Sequence, residues 1–158
     1  MISIIITSFH EPKTIGKAIE SFLFQNILEK YELIVVAPDE ETLNIARIYR
    51  KKNPQVELFK DPGRGKSYAL NLILPKLKGR IIILSDGDVY VSKNSVNEIL
   101  NAFKDEKVGC VTGRPVPTEN RKTKYGYWAN FLFDAAHNIR KKAFQNKNFI
   151  ECSGYLFA

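Results

Sequence analysis

The feature that most constrains this chain is a set of short apolar runs without alternation: ISIIIT at 2–7, LIVVA at 33–37 and RIIIL at 80–84. A strand with one wet face alternates apolar and polar residues, whereas an unbroken β-branched run suits a strand covered on both faces. Helical patterns separate the runs. Strands are expected at 3–8, 33–37, 56–59, 80–85 and 108–112, and helices at 12–25, 40–51, 66–77 and 94–103. Such alternation builds βαβ units, so the predicted class is α/β, a mostly parallel sheet with helices on both faces. Pro12 suits the first turn of its helix, and Pro75 is expected to end its helix early.

A chain of 158 residues, 44% apolar and 26% charged, fits one globular domain with one well-formed core. Its apolar runs stay far below the roughly 18 residues of a membrane span. Met1 leads straight into a strand-like run without a basic leader, so the expected location is the cytoplasm. Cys110 and Cys152 are expected as buried thiols. With His10 and His137 the only histidines and no C-x-x-C pair, a zinc site is not expected. The net charge of +7 favours an anionic partner: a nucleotide, nucleic acid or acidic lipid.

Toward the C-terminus Trp128, Phe131, Leu132, Ala135, Ala136, Ile139 and Ala143 recur at helical spacing, and Arg140, Lys141 and Lys142 crowd the end. One reading packs this apolar face on the sheet, with the cations near the negative end of the helix dipole. The other makes it an interfacial helix that meets a lipid-linked acceptor or a membrane surface.

Ligands of open parallel sheets sit beyond the carboxyl ends of the strands. Four such ends carry polar signals: Thr7-Ser8-Phe9-His10-Glu11, Asp39-Glu40-Glu41, DPGRGKSYALN at 61–71, and Asp86-Gly87-Asp88. The third has the texture of a phosphate loop, but a P-loop needs a glycine five positions before its Gly-Lys pair, and that position holds Lys60. A solvated basic loop is the plainer alternative. Asp86 and Asp88, two apart, point the same way in extended geometry, and Gly87 leaves room for a ligand to approach. Two carboxylates on one side suit Mg²⁺ or Mn²⁺ that takes its other ligands from phosphates and water, although Asp-Gly-Asp is also an ordinary polar turn.

Taken together, ISIIITSFHEP, GKSYALN, LSDGDVYV and VGCVTGRPVP resemble, in that order, the family 2 nucleotide-sugar glycosyltransferases of the GT-A fold. The resemblance covers nearly the whole chain, which would then be one domain, 1–158, holding the donor. It implies that Thr7, Phe9 and Glu11 hold the nucleoside, and that Lys66 and the helix start behind Gly65 lie near the diphosphate. Arg64 would add donors to a phosphate or base, Asp86 would hold the nucleotide, and Asp88 would ligate Mn²⁺ or Mg²⁺. Asp39 is the candidate base or ribose contact, although Val36-Ala37-Pro38-Asp39 departs from the Asp-Asp-Gly-Ser often found there.

The expected partners are a UDP- or GDP-sugar and a sugar or lipid-linked acceptor, with peripheral contact at the cytoplasmic membrane face and no nucleic acid. In the family, a segment like CSGYLFA leads on to the acid that acts as general base. Asp134 and Glu151 are the substitutes within this chain, the catalytic residue is unassigned, and the expectation is donor binding with poor transfer. A non-catalytic nucleotide-sugar module has the same sequence signature. A nucleotidyltransferase would carry a glycine-rich loop after its first strand, where TSFHEP has no glycine, and a nucleic-acid binder would show a contiguous basic face.

Overall fold

The computed structural model describes residues 1–146 and 154–158, so Glu151 and Cys152 lie outside the described residues. The chain runs β1 (Ile2–Thr7), α1 (Ile15–Leu23), β2 (Tyr31–Ala37), α2 (Glu40–Lys52), β3 (Val56–Lys60) and α3 (Lys66–Ile73). A 3₁₀ turn follows at Leu74–Lys76, then β4 (Ile81–Asp86), α4 (Ser95–Ala102), α5 (Lys124–Gln145) and β5 (Leu156–Phe157). The sheet order is β3-β2-β1-β4-β5, with every pairing parallel except the antiparallel β4–β5 edge. The α/β expectation holds, and Pro75 ends α3 as expected because it cannot donate the next helical hydrogen bond.

β1 lies at the centre, and all six of its residues are buried. Its even-numbered isoleucines, Ile2, Ile4 and Ile6, pack with Phe22 and Ile19 of α1, Ala46 of α2 and Ile99 of α4. Ile5 faces the other way, onto Ala69 and Ile73 of α3, beside Ile34 and Val36 of β2. Covering both faces is what the unbroken apolar runs require. The second face is thinner, and where α3 ends it admits polar groups. There the buried Glu32 accepts hydrogen bonds from Ser3 Oγ at 2.5 Å and Lys78 N–H at 2.8 Å, and its second oxygen pairs with Lys78 Nζ at 3.4 Å. Burial alone would raise this carboxyl's pKa, but the hydrogen bonds and the Lys78 charge outweigh it and hold the group below its ordinary value.

Several expectations need correction. Residues 108–112 form no strand; they make an isolated Thr112–Phe157 bridge, and Val111 exchanges backbone hydrogen bonds with Ala158 at 2.9 Å. Their pairing partner, β5, is only two residues long, which leaves no ladder to extend. Cys110, on that segment, is consequently exposed and not a core thiol. Pro12 lies ahead of α1, in a turn closed by Ile15 N–H on Glu11 C=O. The largest departure is α5, whose Trp128, Phe131, Leu132 and Ile139 are all exposed, so the apolar face does not pack on the sheet. Residues on α5's other side, among them Ala129 and the buried Asn130, face the protein.

Candidate functional site

The register places Thr7 beside Val36 on one flank and Asp86 on the other, so three strand ends meet at one point. The chain reverses direction across the sheet there, since β2 and β3 lie to one side of β1 and β4 to the other. Helix connections on opposite faces leave a crevice at such a point. It is a cavity of about 470 Å³ whose lining includes Thr7, Phe9, Glu11, Lys66, Asp86 and Asp88. Six of the eight candidate residues are thus brought together. Arg64 and Asp39 are not in the lining.

Each wall has a local cause. Gly63 and Gly65 adopt φ of +72° and +96°, a region that side-chain-bearing residues avoid, so the glycines of the 61–65 loop serve its backbone path. The loop is anchored by Asp61, which is buried and accepts from Gly63 N–H at 2.7 Å. Gly65 then caps α3 with no side-chain acceptor, so the first N–H groups of α3 start at the cavity without a side-chain cap. Lys66 reaches across to Asp86 and ion-pairs with its Oδ1, which also accepts from Thr7 Oγ1 at 2.9 Å. One carboxylate oxygen therefore ties β1, β4 and α3 together.

Asp86 and Asp88 share the cavity but not extended geometry. Gly87 and Asp88 form a turn closed by Val89 N–H on Asp86 C=O at 3.1 Å, so the chain leaves the strand as soon as the sheet ends. The space at Gly87 is not open to a ligand either. A Cβ placed there would lie 2.4 Å from Ser8 Oγ and 2.5 Å from Glu11 Oε2, two atoms that are themselves hydrogen-bonded at 2.6 Å. Asp88 stays exposed and also lines a second cavity of about 690 Å³. That cavity is walled by the segments after β4 and around 111–119, by Ala129 and Phe133 of α5, and by Tyr155.

Two candidates have other work. Asp39 caps α2, its Oδ1 accepting from Thr42 N–H and its Oδ2 from His10 N–H, both at 2.9 Å. Partial burial pushes its carboxyl up, but these hydrogen bonds prevail and keep it below the usual aspartate value. The second bond holds His10 at a positive φ of 56°, which turns the chain from β1 toward α1. Arg64 lies over the Tyr68 ring at 5.4 Å. Asp134 pairs with Arg114 at 2.9 Å and Arg121 at 3.1 Å, and the hydrogen bond from Arg114 leads in holding its carboxyl below the ordinary range. A carboxylate so stabilised is a weak base, and it lines neither cavity.

Sequence reasoning missed Asp61 and Ser8. The signal for Asp61 was an acid directly after a strand and before Pro-Gly, a position for an Asx turn. Ser8 carried no signal, since its role depends on Gly87, far away in sequence.

Among the described residues no three His, Cys, Asp or Glu side chains gather into a cage for a metal. Asp88, exposed at the junction of both cavities, with Asp86 two residues away, fits a hard divalent ion that takes most of its ligands from phosphate and water.

Residues 3–157 match the model of Glycosyl transferase family 2, and the chain belongs to that family. Its fold is similar to that of the mannosyltransferase PcManGT from Pyrobaculum calidifontis, solved in complex with GDP-Man and Mn²⁺. The identity is 23%, the match covers 70% of this chain and 34% of that one, and the TM-score is 0.64. S. aureus TarS 1-349 in complex with UDP-GlcNAc gives 23% identity over 77% of this chain and 38% of that one, with a TM-score of 0.59. The same architecture reaches 4-diphosphocytidyl-2C-methyl-D-erythritol synthase at 14% identity, over 78% of this chain and 65% of that one, with a TM-score of 0.52. These likenesses establish the GT-A-type fold, and the matched region spans between a third and two-fifths of the two glycosyltransferase structures. No curated protein sequence matches the chain.

Proposed function

We propose that the chain binds a nucleotide-diphosphate sugar, UDP- or GDP-linked, in the 470 Å³ cavity, and that it serves inverting transfer of the sugar. The carrying observation is the convergence of Thr7, Lys66, Asp86 and Asp88 on a crevice that the α3 N-terminus also faces. A cation beside open backbone N–H groups suits a diphosphate. Phe9, 64% exposed at the cavity, offers a ring to the base, and Glu11 and Thr7 offer oxygens to the nucleoside. On binding, Lys66 exchanges Asp86 for phosphate oxygens, and Asp86 is released to the nucleotide. Mn²⁺ or Mg²⁺ at Asp88 would supply charge neutralisation for the diphosphate.

The acceptor, a sugar or a lipid-linked one, enters by the 690 Å³ cavity, because Asp88 lies at the boundary between the two. Its hydroxyl oxygen bonds to the anomeric carbon as the carbon–phosphate oxygen bond breaks on the opposite side, and the hydroxyl proton passes to a base.

Calorimetric titration with UDP- and GDP-sugars tests the reading. One class should bind in Mn²⁺ and bind more weakly in EDTA. Asp88→Ala should weaken binding in Mn²⁺ and change little in EDTA, since the side chain acts through the ion. Absence of binding to either class, or equal weakening by Asp88→Ala in both conditions, refutes the assignment.

A further inference from the structure

We infer that the outward face of α5 is a docking surface for an anionic lipid bilayer. At 3.6 residues per turn, Trp128, Phe131, Leu132, Ala135 and Ile139 fall on one stripe, flanked by Tyr125 and Tyr127. Trp128, Phe131, Leu132 and Ile139 are each more than half exposed, and no described residue covers them. Tyr127 stacks on Phe131, and Trp128 meets both edge-on, so the rings form one preassembled cluster. Trp and Tyr are the side chains suited to the boundary between headgroups and acyl chains, with an apolar body and one polar atom.

Charge selects the occupant. Residues 121–142 hold six cations, Arg121, Lys122, Lys124, Arg140, Lys141 and Lys142, against one acid, Asp134. This segment thus carries +5 of the chain's formal +7, and its single acid is already paired with Arg114 and Arg121. Lys124 and Lys142 bracket the apolar stripe at its two ends. A second copy laid antiparallel on this stripe would bring Lys124 of one helix against Lys142 of the other, whereas acidic headgroups neutralise both. An apolar stripe with cations at its ends is the pattern of a helix lying in an anionic interface.

Docking stands apart from the nucleotide-sugar reading, and only its consequence for the acceptor rests on it. The inner side of α5 supplies Ala129 and Phe133 to the 690 Å³ cavity, so a docked helix brings that cavity to the bilayer and favours a lipid-anchored acceptor.

Trp128 is the chain's single tryptophan and reports on this face directly. The full chain is mixed with vesicles of phosphatidylcholine containing phosphatidylglycerol, or of phosphatidylcholine alone, and followed by flotation and Trp128 emission. Flotation with the anionic vesicles, a blue shift, and quenching by brominated acyl chains are expected, with weaker effects on the neutral vesicles. Each lysine removed near an acidic surface lowers partitioning about fivefold, so Lys141→Ala/Lys142→Ala should lose about thirtyfold. Phe131→Ser/Leu132→Ser should lose both binding and blue shift. Melting and nucleotide titration of each variant on the same preparation keep misfolding, or failure of the donor reading, distinct from failure of docking. No flotation, flotation with unshifted Trp128 emission, or a lipid-free, concentration-dependent blue shift with doubling of mass would each overturn the inference, the last in favour of a second copy.

Discussion

Gly87→Ala tests the way the candidate site is built. The added methyl would stand 2.4 Å from Ser8 Oγ, 2.5 Å from Glu11 Oε2 and 2.8 Å from Ser8 Cβ. The two oxygens belong to side chains that can turn, at the cost of their mutual hydrogen bond, about 0.5–1.5 kcal/mol. Ser8 Cβ moves only with its backbone, and both backbones are pinned: Ser8 N–H donates to Val36 C=O and Gly87 N–H to Thr7 C=O, each at 2.9 Å. Forced overpacking of this kind typically costs about 1–3 kcal/mol. At this chain length each kcal/mol shifts Tm by about 2–4 °C. Gly87→Ala should therefore lower Tm by roughly 2–12 °C and, because the strain sits at the cavity wall, weaken nucleotide binding as well. Thermal unfolding and nucleotide titration measure the two effects. Ser8→Gly in the same molecule removes the offending Cβ and hydroxyl and should restore most of the loss. A Gly87→Ala protein with wild-type stability and affinity, or no rescue by Ser8→Gly, would refute the packing argument.

Lys66→Ala should reduce affinity for a nucleotide diphosphate while changing stability by only about 0–1 kcal/mol, because its pair with Asp86 is substantially exposed; thermal melts alongside titration separate the two. Asp39→Ala should cost about 1–2 kcal/mol through the lost cap of α2, measured by denaturant unfolding, with Asp39→Asn retaining most of it. Glu32→Ala should destabilise by roughly 1–3 kcal/mol at neutral pH by stranding Ser3 and Lys78 N–H. Since folding lowers the pKa of Glu32, its contribution is complete above the unfolded value of about 4.3 and is lost as pH falls through the lower folded value. Unfolding measured across that range should show the difference between Glu32→Ala and wild type shrinking toward acid.

The central sheet was legible because β1 and β2 are buried on both faces and β4 is at least half-covered beside them, and such burial writes itself into sequence as unbroken apolar runs. The helices around them followed from periodicity, to within four residues at each end. What could not be read was everything decided between distant segments. Residues 108–112 have strand composition but meet only β5, which is too short to make them a strand. Gly87 looked like room for a ligand because Ser8 and Glu11, which fill that room, come nearly 80 positions earlier. Asp39 and Asp134 looked available because sequence does not show the N–H groups and guanidiniums that claim them. The helical period of α5 gave its apolar stripe correctly but not which way the stripe would point.

The two cavities differ in how they are anchored. The smaller one rests on strand ends held in fixed register across β1, β2 and β4, so changing its shape means disturbing the buried centre of the sheet. The larger one is walled on one side by α5, which belongs to neither buried cluster of the sheet, and on the other by residues such as Val91, Ile99, Val111 and Leu156, which pack in the main one. Substitutions on the α5 side, at Ala129 or Phe133, fall where few core contacts depend on them. The α5 side of the larger cavity can therefore be altered while the smaller one keeps its shape, as a tool keeps its handle when its bit is exchanged.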